Sequence, residues 1–273
     1  MALAIATNNG ALQAAAAASS VNRSMETSME RLSTGMRINS ASDDAAGVAI
    51  SSRLSAEIRG TNQSIRNALD GQSLIDTAEG AHKEVENLLQ RMRELAIQAA
   101  NGTNDADDIT NLEAEFTALS TEITRIGEVT SFAGKALTGT DATAFSFQVG
   151  SGTATANQIS VTINSIKSAS IGTDSGTQLS AVVTAGLDDL TETNAAIVVI
   201  DDAIKEVNTQ RSELGAVSNR LNHTVNNLTN ISSNLSSAQG RIQDADFALE
   251  TTKLAKNQIL QQASTAMLAQ ANA

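Results

Sequence analysis

The chemistry-bearing residues of this 273-residue chain are few, and two histidines head them. His82 falls on an apolar helical row, and His223 sits between Asn222 and Thr224 on a polar one. A helical zinc site needs two histidines four residues apart, projecting from one face, and neither histidine has such a partner. Asp105, Asp107 and Asp108 offer oxygen ligands, but the glycine and the closing bidentate glutamate of a calcium loop do not follow them. Acids that open a helix, facing the positive end of its dipole, account for the cluster. The chain has no cysteine, so thiol nucleophiles, thiolate metal sites and disulfides are excluded. There is no Gly-x-x-x-x-Gly-Lys phosphate loop and no Gly-x-Ser-x-Gly elbow. Triplets such as Asn222-His223-Thr224 and Asn230-Ile231-Ser232 match a glycosylation acceptor, a pattern that recurs by chance in helices rich in Asn and Ser. These residue types can cap and pack helices; the expectation is no enzyme, no metal and no cofactor.

The composition describes the elements that would hold such residues. Proline, cysteine, tryptophan and tyrosine are absent, and aromatics make up 2% of the chain. Without proline nothing interrupts the backbone ladder of a long helix. An apolar fraction drawn from Ala, Leu, Ile and Val suits thin layers between helices. Net charge is −12: residues 1–60 balance, 61–140 carry six bases against thirteen acids, and the remainder is weakly acidic. An acidic middle between neutral ends disfavours nucleic acid and anionic membranes. No apolar run approaches the ~18 residues of a membrane span, and the start of the chain has no cationic stretch leading to a cleavage site. Above all, no charge precedes Arg23 or follows Lys256, as though both ends were built to leave water.

Ser42-Asp43-Asp44 reads as an N-cap with acids in the first turn, opening a helix that runs to about Ala100 and stops at Asn101-Gly102. Its later seam is Ile75, Ala78, His82, Val85, Leu89, Met92, Ala96 and Ala99, alternating three and four. Gly47, Gly60, Gly71 and Gly80 mark either breaks in it or close approaches of another segment. A second helix is expected from Asp105 to Gly127, with Ile109, Leu112, Phe116, Leu119, Ile123 and Ile126 on its seam. Phe145, Phe147 and Val149, then Ile159, Val161 and Ile163, alternate with polar residues around Gly150-Ser151-Gly152, which predicts a β-hairpin. Ser168–Gly186, rich in Ser, Thr and Gly, reads as exposed loop or a small variable module.

The strongest pattern comes last. Ile200, Val207, Leu214, Leu221, Leu228, Leu235, Ile242 and Leu249 recur every seven residues, which predicts coiled-coil-like packing. The repeat alone does not separate a partner in the same chain from one in another molecule. Matching stripes on the upstream helices make an intrachain bundle the expectation. Leu3–Val21 and Asn257–Ala273 each carry one apolar face on a helix too short to stand alone in water, so each requires a partner. Charge-free ends of both kinds point to self-assembly.

Two segments then resemble a known family. Glu30–Ile50, reading ERLSTGMRINSASDDAAGVAI, is similar to the N-terminal signature of the bacterial flagellins. Arg241–Phe247 with Ile259–Asn272, RIQDADF and ILQQASTAMLAQAN, resembles their closing signature. Gln90–Asn101 and Phe147–Gly150 fit the inner domain of the family, and the middle is short, as if large outer domains were missing. The resemblance implies a mainly α fold, a long antiparallel coiled-coil-like helical bundle with a small β-hairpin outer region. It divides the chain into a terminal core domain (1–33 with 245–273), a connecting spoke (34–47 with 240–244), a helical inner domain (48–130 with 188–239) and a β-rich outer region (131–187).

Function and sites follow from the same resemblance. The chain would polymerise into the extracellular flagellar filament, the propeller for swimming, with a hook–filament junction protein as the alternative. Its filament-core interface would comprise Ile5, Leu12, Val21, Met25, Leu32, Leu254, Ile259, Leu260, Met267 and Leu268. Leu214, Leu221, Leu228 and Leu235 would form the intrachain seam. The implied partners are further copies of the chain, an export chaperone and the type III export apparatus, the filament cap and hook-junction proteins. The innate immune flagellin receptor of animal hosts joins them, with Arg91, Leu95 and Glu115 at the positions of its contacts. No cofactor, nucleic acid or membrane insertion is implied. A hydrolase grafted onto this scaffold would need catalytic residues in the outer region, and 131–187 has no histidine.

Overall fold

The computed structural model describes residues 8–139 and 143–272. Its helices are α1 (Asn9–Thr34), α2 (Ala45–Ala99), α3 (Ala106–Val129), α4 (Leu179–Ala185), α5 (Leu190–Gln243) and α6 (Phe247–Asn272). Strands β1 (Ser131–Phe132) and β2 (Lys135–Ala136) form one antiparallel hairpin, and β3 (Thr143–Gln148) and β4 (Gln158–Ile163) another. The chain divides into two units, Gly60–Asn230 and Met1–Arg59 with Ile231–Ala273.

The unit Gly60–Asn230 is built on the long helical seams. Every residue of the expected α2 row, from Ile75 through His82 to Ala99, is buried. The helix runs without a break through Gly47, Gly60, Gly71 and Gly80. Gly71 is a close approach: a Cβ there would come within 3.0 Å of the Phe147 ring, so a larger residue would require the ring to shift for the second hairpin to lie on the helix. The expected hairpin forms, and its register sets Phe145 opposite Val161 and Phe147 opposite Ile159. Ile159, Val161 and Ile163 point inward and pack with Ile75, Ala78, Leu214 and Leu221. On α3 a reciprocal capping box between Asp105 and Asp108 explains the acidic cluster, and Phe116 and Ile123 fill the core beside Leu89 and Met92.

The seven-residue row resolves to an intrachain seam. Ile200, Val207, Leu214 and Leu221 are buried against α2, α3 and the hairpin region of the same chain, and Leu228 is buried as well. Arg93 pairs with Asp201 at 2.6 Å, and Arg211 pairs with Glu86 and, at 3.6 Å, with Glu79, which fixes α2 and α5 as antiparallel. Leu235 and Ile242 are only half-buried, and Leu249 leaves the row altogether, because α5 ends at Gln243 and Leu249 lies exposed on α6. The repeat in sequence runs across a break in the helix.

Two local expectations change. The cap of α2 is Asp44, whose carboxylate accepts the Gly47 amide at 2.9 Å; Ser42 and Asp43 precede the helix. Asp43 instead closes the preceding turn, and the amides of Ser40 and Asn39 hold its carboxyl below the ordinary aspartate value. Ser168–Gly186 is not a free loop. Ile171, Leu179 and Val182 are buried in the main core, and the Glu206 carboxylate accepts the Gly172 and Thr173 amides, each at 2.9 Å. A few bulky side chains spaced along a polar stretch were enough to anchor it. Residues 173–178 alone stay exposed throughout.

A four-residue Gly/Ser insertion between Gly176 and Thr177 is therefore expected to move the melting temperature by less than ~2 °C. Loop lengthening costs only about 0.6 kcal/mol per doubling. The same insertion beside Thr173 breaks the Glu206 clamp and should cost more. Thermal unfolding of the two insertions side by side checks this.

Candidate assembly surface of the terminal helices

The described parts of the charge-free ends, residues 9–22 and 257–272, lie on α1 and α6, which pack on one another in the second unit. α1 opens with the Asn8 side chain accepting the Ala11 amide at 3.1 Å and closes at Gly35, whose φ of 71° is readily adopted only by glycine. α6 opens with the Asp246 carboxylate accepting the amides of Ala248 and Leu249. Between them the backbone is tied directly: Met36 and Asp244 form an antiparallel bridge, and the Arg37 amide and guanidinium donate to the Gln243 and Ile242 carbonyls, both at 2.6 Å.

The register continues up the helices. Arg31 meets Glu250 at 3.4 Å, and the Gln261 amide donates to Asn22 at 2.9 Å, so moving back along α1 moves forward along α6. On α1 the covered row is Ala14, Ala18, Val21, Met25, Ser28 and Leu32, alternating four and three. On α6 it is Glu250, Leu254, Asn257, Gln261, Ser264 and Leu268, with the same alternation. This seam is narrow and largely small or polar. Glu250 is 3% exposed; burial alone would raise its carboxyl, but Lys253 at 2.7 Å, Arg31 and Ser28 hold it below the ordinary glutamate value.

The expected interface residues fall into two groups. Val21, Met25, Leu32, Leu254 and Leu268 line the seam between the two helices of one chain. Leu12 (60% exposed), Ile259 (66%), Leu260 (40%) and Met267 (63%) lie outside it, with water as their present neighbour. Ile5 lies outside the described residues. Sequence reasoning missed Glu250 and the alanine row, although both obey the four–three spacing. An unbroken run of alanines hides which of its members faces a partner.

The other singled-out residues lie in the first unit. Arg91 pairs with Glu115 at 2.9 Å and with Glu94 at 3.0 Å on the surface. Leu95 is only 1% exposed and belongs to the core, so it presents no surface to a receptor. His82 is buried, with its Nδ1 2.7 Å from the Ala78 carbonyl; burial pushes the imidazole below its usual value, partly opposed by that carbonyl. His223 is exposed. Among the described residues no group of His, Cys, Asp or Glu is arranged to hold a metal, and no helix is long and apolar enough to cross a membrane.

The exposed apolar residues of the terminal pair are the kind of surface that other helices can cover, and comparison with known proteins gives the family. The model of the bacterial flagellin N-terminal helical region matches residues 5–142, and that of the C-terminal helical region matches residues 197–273. The chain belongs to the bacterial flagellins. A flagellin of Halalkalibacterium halodurans is 46% identical over 244 residues, covering 89% of this chain and 86% of the relative. A flagellin of Bacillus subtilis is 43% identical over 279 residues, covering 93% and 91%. A solved structure described as a flagellar hook-associated protein of Vibrio parahaemolyticus superposes with a TM-score of 0.62, covering 74% of this chain and all of that one. At 17% identity it shows the fold alone. As a flagellin the chain is a structural subunit of the extracellular flagellar filament, not an enzyme, and the hook-junction alternative is not favoured.

Proposed function

We propose that this flagellin polymerises through the α1/α6 pair, whose outward apolar residues are covered by neighbouring copies in the filament core. One observation carries the reading: in stretches without a single charge, Leu12, Ile259, Leu260 and Met267 are exposed although a narrow seam already joins the two helices. Val21, Met25, Leu32, Leu254 and Leu268 then hold the pair together, while the outward four, with Ile5, meet other copies. The division into terminal core, connecting spoke, helical inner domain and β-rich outer region belongs to the same reading. It is supported by the Met36–Asp244 bridge at the spoke and by the buried seams of α2 and α5.

Ile259→Ser is expected to raise the subunit concentration left unpolymerised after seeding by roughly tenfold. Full burial of such a side chain contributes about 1.5–3 kcal/mol, and 1.4 kcal/mol is a factor of ten. Sedimentation of seeded reactions measures it, and normal filament growth by the variant would remove the reading.

The remaining partners belong to this proposal too. Export by the type III apparatus with a chaperone, and contact with cap and hook-junction proteins, are what a filament subunit of this kind requires. For the innate immune receptor the surface is Arg91 with Glu115, Leu95 serving to pack the helix beneath them. Arg91→Ala is expected to reduce reporter-cell activation at least severalfold with an unchanged melting temperature, since the 0.2–1 kcal/mol of an exposed pair is small for stability. Equal activation by wild type and variant would refute the assignment.

A further inference from the structure

The turn between α2 and α3 contains the step Asn101-Gly102, with both residues exposed. A glycine after a helix ordinarily takes the left-handed conformation and closes the last turn. Gly102 does not: it is absent from the glycines of positive φ, and a Cβ built on it would meet nothing within 4 Å. The fold therefore makes no steric demand for glycine here. What the glycine does leave is an uncrowded backbone nitrogen beside an asparagine side chain, and that pair has chemistry of its own.

Two other loop asparagines show how such a pair is restrained. The Asn39 side chain donates to Thr34 at 2.9 Å, and the next backbone N–H, that of Ser40, donates to Asp43 at 2.9 Å. The Asn104 side chain donates to the Gln98 carbonyl at 2.7 Å, and the Asp105 N–H to Asp108 at 3.3 Å. In both, the side-chain amide and the following nitrogen are held apart by bonds to other groups. At Asn101 neither is held. Among the described residues, the Asn101 side chain and the Gly102 N–H have no hydrogen-bond partner in the protein.

We propose that Asn101 is a site of spontaneous deamidation. The Gly102 nitrogen, having given its proton to water or hydroxide, attacks the side-chain carbonyl carbon of Asn101. A C–N bond forms, the bond to the side-chain nitrogen breaks, and that nitrogen leaves as ammonia. Water then opens the five-membered succinimide at one of its two carbonyls. Opening at the side-chain carbonyl gives aspartate; opening at the backbone carbonyl gives isoaspartate. No oxidant or reductant takes part. Either product places a carboxylate at the C-terminal end of α2, the negative end of its dipole, shortly before Asp105, Asp107 and Asp108. The isoaspartate also adds a carbon to the main chain of a turn closed by the Asn104 N–H on the Asn101 carbonyl at 3.2 Å.

The test incubates the full-length chain, folded and in urea, at mildly alkaline pH, and maps deamidation residue by residue by peptide mass spectrometry. Site resolution matters because the other Asn-Gly step, Asn9-Gly10, lies in the first turn of α1. Asn101 is expected to convert in the folded chain within about threefold of its rate in urea, since opening an exposed turn costs almost nothing. Asn39 and Asn104 should stay intact in the folded chain over the same period. Gly102→Ala should slow conversion at Asn101 roughly tenfold, because a Cβ crowds the nitrogen and narrows its backbone freedom. The open space around residue 102 should leave the melting temperature of that variant unchanged. Asn101→Asp, which carries the charge of the product, should lower the melting of Gly60–Asn230 by about 1–4 °C. Asn101 that stays amidated in the folded chain while the chain in urea converts would overturn the proposal, because the turn would then shield it. Equal conversion in Gly102→Ala and wild type would overturn the part given to the Gly102 nitrogen.

Discussion

Leu221→Asp is expected to lower the melting temperature of the unit Gly60–Asn230 by roughly 10–20 °C, while Asn222→Asp next to it changes little. Leu221 is fully buried in the cluster that joins α2, α5 and the second hairpin, beside Ile75 and Leu214. Emptying such a site costs about 2–5 kcal/mol even with alanine, and an unpaired carboxylate adds a desolvation penalty there. In a unit of this size each 1 kcal/mol moves the transition by about 2–4 °C. Asn222, about 100° further round the helix, is exposed. Calorimetry of the two variants decides; equal transitions for Leu221→Asp and wild type would remove Leu221 from the seam.

The seam of α2 was legible residue by residue because large aliphatic side chains at three–four spacing have one way to be buried. The β3–β4 hairpin was legible for the analogous reason at a spacing of two. Where the reading failed, the informative residues were small or few. The β1–β2 turn at Ala133-Gly134, with φ of 50° and 80°, was not foreseen, since alanine rarely takes a left-handed conformation and carries no turn signal. Ser168–Gly186 looked like loop because four anchors, Ile171, Leu179, Val182 and the distant Glu206, are scattered in polar sequence. Leu249 continued the heptad in sequence but not in space, because nothing in a seven-residue repeat registers the end of α5 at Gln243. Of the proposed interface, the apolar character was legible, but not the division into seam and outward residues. That depends on where α1 meets α6, a long-range contact the sequence does not encode locally.

A chain lacking Asn257–Ala273 is expected to keep the melting temperature of Gly60–Asn230 within about 2 °C of wild type and to grow no filament from seeds. The unit Gly60–Asn230 holds its own buried core, made of α2, α3, α5 and the hairpin, and loses none of it. The deletion removes Gln261 from Asn22 and takes away Ile259, Leu260 and Met267. Growth of filaments by the truncated chain would show that polymerisation uses another surface.

The central claim is that the terminal helices become stable only when neighbours cover their outward apolar residues. Residues 1–22 and 257–273 carry no charges, so no ion pairs four residues apart support them. Their mutual seam there is mostly small or polar, Ala14, Ala18, Asn257, Gln261 and Ser264, with Val21 and Leu268 its large apolar members. Helices of this length are marginal without better packing, and their local opening should lie at the low end of the stability range. Hydrogen exchange, read amide by amide in monomer and in filament, is the direct measurement. The account predicts that amides of Ala14–Val21 and Ile259–Leu268 exchange almost unprotected in the monomer and become strongly protected in the filament. Protection of those amides in the monomer equal to that of Leu89 or Leu214 would contradict it.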